Sequence, residues 1–267
     1  MPRLHLVELE DLPWFPAVWR DAGTAYLRWA ADLLDQPSYM APKLRQVLER
    51  TGVRRLVDLC SGGAGPIPAL VDHLAAEGVD VTAVLTDLYP NVKSLEAVAS
   101  GSEGRVEVSE ASVDATAVPD SLAGCRTLCN ALHHFRPDDA RRILQSAVDA
   151  KQPIAVFDIP ERTAPYLLGI AFAPIAFMLA CPFLRPFDWR WLVFTYLIPI
   201  IPLFVFWDGF VSGLRAYKVE ELDAMIATLD GDAFEWETGQ VQIGKQPAHV
   251  TYLLGWPKSP LATPTGS

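Results

Sequence analysis

The chain has 267 residues, 51% of them hydrophobic, and a formal net charge of −10. That length holds one α/β domain with a cap, and that apolar content excludes a chain too polar to build a core. The acidic balance excludes the basic footprint that grips a phosphate backbone, so no nucleic-acid partner is expected.

Residues 1–52 read as a helical, aromatic-rich lid, with Trp14, Phe15, Trp19, Tyr26 and Trp29 in one short span. The first ten residues mix charge with apolar side chains and carry no signal-peptide core. A second helix around Pro42 and Glu49 stops at Thr51-Gly52, a fitting C-terminal signal. From Val53 the texture changes to short apolar runs at 56–59, 81–85, 106–108, 127–129 and 154–157, separated by helical patterns. That alternation is the βαβ signature of a parallel sheet.

After Pro137, the residues Ala140, Ile143, Leu144, Ala147 and Val148 share one helical face, and Asp138 and Asp139 suit the positive end of its dipole. Leu222, Met225, Ile226 and Leu229 make a second buried stripe, followed by strands at 234–238 and 249–254. The Ser/Pro/Thr/Gly-rich tail, 257–267, is expected to be disordered. Cys60, Cys125, Cys129 and Cys181 form no paired framework and no zinc pattern, which predicts free thiols in a cytoplasmic protein.

Between the fifth strand and the last helix lies an unusual insertion, 163–217. Neither 166–184 nor 191–207 contains a charged residue, and only Arg185, Asp188 and Arg190 separate the two runs. Each run is long enough for a helix of roughly 25–29 Å, close to the hydrocarbon thickness of a bilayer. Three roles stay open at this level: a cap over an apolar small molecule, a membrane-associated hairpin through 166–207, or the interface of a homo-oligomer. Pro174, Pro199 and Pro202 interrupt the runs, whereas Trp189, Trp191, Tyr196 and Trp207 lie near their ends as interfacial aromatics do.

The strongest local signal is Val57-Asp58-Leu59-Cys60-Ser61-Gly62-Gly63-Ala64-Gly65-Pro66, which follows a strand and precedes a helix. Glycines there let the backbone turn sharply and approach a ligand where a Cβ would collide. An acid closing the second strand, Asp87, is placed to hold a ribose through its hydroxyls. A dinucleotide dehydrogenase would need a third glycine at 68, which is Pro68.

Together these residues resemble the first motifs of the class I S-adenosylmethionine-dependent methyltransferases of small-molecule type. The resemblance implies a Rossmann-like, doubly wound seven-stranded sheet, with the core at 53–162 and 218–256 and S-adenosyl-L-methionine as cofactor. It implies that Asp58, Ser61, Gly62, Gly63 and Gly65 surround the methionine moiety, that Asp87 binds the ribose beside Leu88, and that Asp114-Ala115 meet the adenine. The segment after the fourth strand, Asn130-Ala131-Leu132-His133-His134-Phe135, resembles the corresponding segment of small-molecule enzymes, with Asn130 at the cofactor.

That segment lacks the prolines of an amino-group methyltransferase, the oxygen ligands of a magnesium-dependent one and the carboxylates that would hold a polyamine. A metal-independent transfer with His133 or His134 as general base remains, to a small hydrophobic acceptor. Tyr26, Trp207, Asp208, Arg215 and Tyr217 are the expected substrate-binding residues. A protein with this fold that binds or scaffolds without transferring a methyl group is the alternative, as is a membrane-associated enzyme with a lipid-like acceptor.

Overall fold

The computed structural model describes residues 1–244 and 248–258. Seven strands form one open sheet: β1 (Arg55–Asp58), β2 (Thr82–Leu85), β3 (Val106–Val108), β4 (Cys125–Cys129), β5 (Ile154–Asp158), β6 (Phe234–Gln242) and β7 (His249–Pro257). Their order is β3-β2-β1-β4-β5-β7-β6. The first five strands run parallel, and β7 is antiparallel to both β5 and β6. The direction of winding reverses between β1 and β4, and there Asp58 stands opposite both Leu85 and Thr127. In an open sheet such a reversal leaves a crevice at the carboxyl ends of the strands.

Ten helices flank this sheet among the described residues: α1 (Ala17–Leu33), α2 (Gln36–Thr51), α3 (Ile67–Ala76), α4 (Val92–Ala99), α5 (Pro137–Asp149), α6 (Ala164–Ile170), α7 (Ala173–Ala180), α8 (Trp189–Leu192), α9 (Ile200–Arg215) and α10 (Val219–Ile226). Strand alternation divides β1 between two cores. Leu56 joins Met40, Leu44, Leu48, Leu70 and Leu74 beneath α2 and α3. Val57 joins Ile143, Leu144, Leu222 and Met225 beneath α5 and α10. The helix stripes expected after Pro137 and from Leu222 are therefore the faces that cover the sheet.

A third apolar cluster stands apart from the sheet. Phe15, Ala22 and Ala25, at and before α1, meet Phe177, Trp191, Ile201 and Phe204 of the insertion. The division at residue 52 is accordingly one of sequence and not of packing: α2 belongs to the sheet layers, while α1 pairs with 163–217. The two long helices expected in the insertion are each broken, with bends of 44° between 164–170 and 173–183 and 83° between 189–197 and 200–215. Proline explains both breaks. Pro174 sits in the first turn of α7 and Pro199 immediately precedes α9, where the missing N–H ends one helix and suits the start of the next. Among the described residues no single helix is long and apolar enough to cross a membrane.

The tail begins later than expected. Pro257 closes β7 and the Lys258 N–H donates to the Ala233 carbonyl at 2.8 Å; 259–267 lie outside the described residues.

Candidate active site

Asp58 ends β1 with both carboxylate oxygens committed inside the protein. Ser61 Oγ donates to one at 2.6 Å and Thr127 Oγ1 to the other at 2.7 Å. Burial raises this carboxyl to about 7, in spite of the two hydroxyl donors. The group fastens the 59–66 loop to β4. The loop then crosses to β2: the Ser61 N–H donates to the Thr86 carbonyl at 2.9 Å and the Gly62 N–H to Asp87 Oδ2 at 2.9 Å. Tyr89 N–H takes Asp87 Oδ1 at 2.9 Å.

Two glycines differ in what demands them. Gly65 has a φ of 48° and open space where a Cβ would stand, so the chain bends there beside an unfilled surface. At Gly63 a Cβ would lie 2.2 Å from Thr24 Cγ2 of α1, and Arg28 Nη2 donates to the Gly63 carbonyl at 3.0 Å. The helical lid, and not a ligand, is what presses on Gly63.

Cys60 reports the electrostatics of the crevice. Burial pushes its thiol up to about 12, and the charges of Asp87, Asp58 and Asp114 push the same way. Asp114 Oδ1 accepts from the Thr116 N–H and hydroxyl, both at 2.8 Å, while Oδ2 has no partner among the described residues. The Val113 N–H donates to the Asp87 carbonyl at 2.9 Å and Ser112 Oγ to the Leu88 carbonyl at 2.6 Å, which brings the β2 and β3 ends together. Leu88 remains 43% exposed beside them.

Across the crevice, Asn130 adopts a left-handed backbone and its Oδ1 accepts the Ile159 N–H at 3.0 Å, tying the ends of β4 and β5. That tie places buried His133 against buried Asp158, with Nδ1 and Oδ1 3.2 Å apart. His134 turns the other way, 3.1 Å from Asp11 Oδ1. Burial would lower its pKa, but the Asp11 hydrogen bond and the charges of Glu8, Asp11 and Glu10 prevail and raise it to about 9. His134 is an imidazolium at neutral pH.

Its neighbourhood is the anchor of the N-terminal strap. Arg215 Nη1 donates to Glu8 Oε1 at 3.0 Å and Asp11 Oδ2 at 2.8 Å, and lies 3.5 Å from His134 Nδ1. Arg215 Nε holds the Leu6 carbonyl, the Asp208 carboxylate takes the Leu9 and Glu10 N–H groups, and Trp207 Nε1 donates to the Val7 carbonyl. Tyr217 donates to the Phe135 carbonyl at 2.8 Å beneath the Arg3 guanidinium. Glu8, His133 and His134 do bring three ligating atoms within 4.8 Å of one another, yet the Arg215 guanidinium already supplies the positive charge at that point.

No protein-family model and no curated protein matches this sequence. Solved structures do match. The plantazolicin methyltransferase BpumL, in complex with SAH, is similar at a TM-score of 0.58 and 9% identity, over 94% of this chain and 95% of that one. The methyltransferase domain of bacterial CtHen1-C is similar at a TM-score of 0.50 and 10% identity, over 85% of this chain and 100% of that one. The chain has the class I methyltransferase fold. Identities of this order establish the fold and nothing finer.

The sequence-derived residues divide around the crevice between β1 and β4. Gly62, Gly65, Asp87, Leu88, Asp114 and Ala115 come together there, although Ala115 is buried beneath the rim. Asp58, Ser61 and Asn130 spend their side chains on fastening strand ends, and Gly63 faces Thr24, so these four shape the crevice without lining it through side-chain atoms. His134 holds Nδ1 in an ion pair with Asp11. The polar atoms of Trp207, Asp208, Arg215 and Tyr217 hold residues 3–11 and Phe135. Tyr26 stacks with Trp29 and meets Phe177 edge-on, inside the cluster that joins α1 to the insertion. Sequence reasoning missed Asp158, Arg28 and Glu8. Only the adjacency of β4 and β5 pairs Asp158 with His133, and Glu8 carries no motif at all.

Proposed function

We propose that the protein transfers a methyl group from S-adenosylmethionine to a small hydrophobic acceptor. The observation that carries this reading is Asp87 at the end of β2, which accepts the Gly62 N–H across a crevice where Gly65 leaves open space, with the unpartnered Asp114 Oδ2 nearby. Carboxylates at such a crevice suit a ligand carrying hydroxyls and positive charge and oppose a pyrophosphate. BpumL, whose structure holds SAH, supports the reading through the shared fold. Bound cofactor supplies a methyl group already activated on sulfur.

The chain's own residues would do the rest. Asp87 keeps lone pairs beyond the two taken by Gly62 and Tyr89, enough to accept from vicinal hydroxyls. The bare Asp114 Oδ2 can accept from an exocyclic amine. With Nδ1 held against Asp158, His133 would present Nε2 as the base for an acceptor hydroxyl or acidic carbon, and Asp158 would stabilise the imidazolium that forms. The apolar cluster of α1 and the insertion stands over this side of the sheet and suits an apolar acceptor.

Titration calorimetry with S-adenosylhomocysteine tests the proposal. Binding is expected, weakened at least tenfold by Asp87→Ala. A wild-type protein that gives no heat and no thermal stabilisation with the ligand would leave a binding or scaffolding role in its place.

A further inference from the structure

The insertion carries more apolar surface than its own core uses. Along α6, α7 and the turn after them, Leu168, Phe172, Ile175, Leu179 and Phe183 recur at intervals of four, three, four and four, which is one continuous helical face. That face points outward: Leu168, Phe172, Leu179 and Phe183 are between 67% and 71% exposed, and Leu197 and Leu203 beyond the tip are 77% and 62% exposed. The opposite face, with Phe177, Ala180 and Cys181, is already buried against α1 and α9. These helices are apolar all round, a pattern that water alone does not tolerate.

The tip adds unpaired cations. Among the described residues Arg185 donates only to the Pro182 and Leu184 carbonyls and meets no carboxylate, and Lys93 at the start of α4 has no partner. Both open into a cavity of about 740 Å³ that Arg28 and the rings of Phe187, Trp189 and Trp191 also line. Its acids are Asp21 and Asp188, and Arg190 already holds the latter at 2.9 and 3.0 Å. In a chain whose net charge is −10, unpartnered cations gathered among exposed aromatics mark a place for anionic oxygens.

We infer that the 168–203 face of the insertion docks on the surface of a lipid bilayer, its apolar side chains entering the acyl boundary and Arg185 and Lys93 meeting lipid phosphates. No single helix among the described residues is long and apolar enough to cross, and helix pairs bent by 44° and 83° suit a segment laid along the interface. A second copy of this chain would cover the apolar stripe but gives no reason for cations beside the exposed rings of Phe187 and Trp189. Docking stands apart from methyl transfer. Only the corollary, that the acceptor is drawn from the membrane, rests on the methyltransferase reading.

Flotation of the full chain, without cofactor, on vesicles of phosphatidylcholine and on vesicles of equal parts phosphatidylcholine and phosphatidylglycerol tests the inference. Most of the protein is expected to float with the mixed vesicles. Leu179→Asp with Phe183→Asp should reduce the bound fraction about tenfold on both, and Arg185→Glu with Lys93→Glu should remove the preference for the anionic lipid. Quenching of the wild-type tryptophans by brominated phosphatidylcholine reads the same contact without any substitution. Protein that stays with the soluble fraction on both vesicles and is not quenched overturns the inference. So does a stable dimer in sedimentation that the Leu179→Asp, Phe183→Asp variant converts to monomer. S-adenosylhomocysteine calorimetry in solution separates either failure from a failure of the methyltransferase reading.

Discussion

At the scale of single residues, the two adjacent histidines show how position, more than residue type, assigns chemistry. One ring is buried with its Nδ1 against a single carboxylate, that of Asp158. The other is locked among Asp11, Glu8 and Arg215. With a methyl acceptor in hand, His133→Gln is expected to lower kcat by about 10²–10⁴-fold. Asp158→Asn should lower kcat with little change in KM and move the acidic limb of the pH–rate profile, because it acts through the imidazole it orients. A variant of His133 with full turnover would strike the assignment. His134 makes a different kind of prediction. Its folded pKa of about 9 exceeds the 6.5 of an unfolded histidine, so its stabilising contribution is fully present below about pH 6.5 and is lost as pH rises through 9. That contribution is at most about 3 kcal/mol, and less for a ring that is partly exposed. Denaturation curves of wild type and His134→Gln should differ clearly at pH 6 and converge above pH 9; a difference independent of pH would show that packing, not charge, is what the ring supplies.

At the scale of elements, α9 illustrates what a sequence does and does not disclose. Its charge-free run and the polar residues at its end are both visible in the chain, and Pro199 announces where it starts. Nothing local announces that Asp208 and Arg215 serve residues about 200 positions away. A polar set re-emerging from an apolar hairpin reads as a pocket mouth until the strap is seen beneath it. The five parallel strands are legible because parallel β-structure buried on both faces needs continuous apolar runs, and β1 to β5 fall where those runs lie. The glycine loop was legible as well, but the partners that shape it, Thr127 for Asp58 and Thr24 for Gly63, come from distant segments. Asp208→Ala should release the strap. Two backbone N–H donors lose their acceptor, a cost of roughly 1–3 kcal/mol, and burial holds the Asp208 carboxyl up near 7, so the bond strengthens as pH rises past neutrality. Hydrogen exchange at the Leu9 and Glu10 amides is the readout. Exchange unchanged by the substitution would mean that Arg215 and Trp207 suffice to hold the segment.

At the scale of the whole molecule, two packing systems meet across the carboxyl edge of one sheet. Two of the three apolar clusters are the faces of that sheet and share its strands; the third draws on α1 and the insertion and includes no strand residue. The links between the systems are few and polar, among them Arg28 to the Gly63 carbonyl and Arg3 to the carbonyls of His133 and Phe135. Cooperativity follows shared apolar contact, so a unit joined to its neighbour mainly by hydrogen bonds is able to open on its own. Phe177 sits at the centre of the helical unit, fully buried and edge-on to Tyr26. Phe177→Ala is expected to cost about 3–5 kcal/mol there. The loss should fall unevenly: amides of α1, α7 and α9 should exchange faster, while those of β1, β4 and β5 keep their protection. Equal acceleration in helices and strands would show one cooperative unit. Unequal acceleration would show that the helical unit opens without unfolding the sheet.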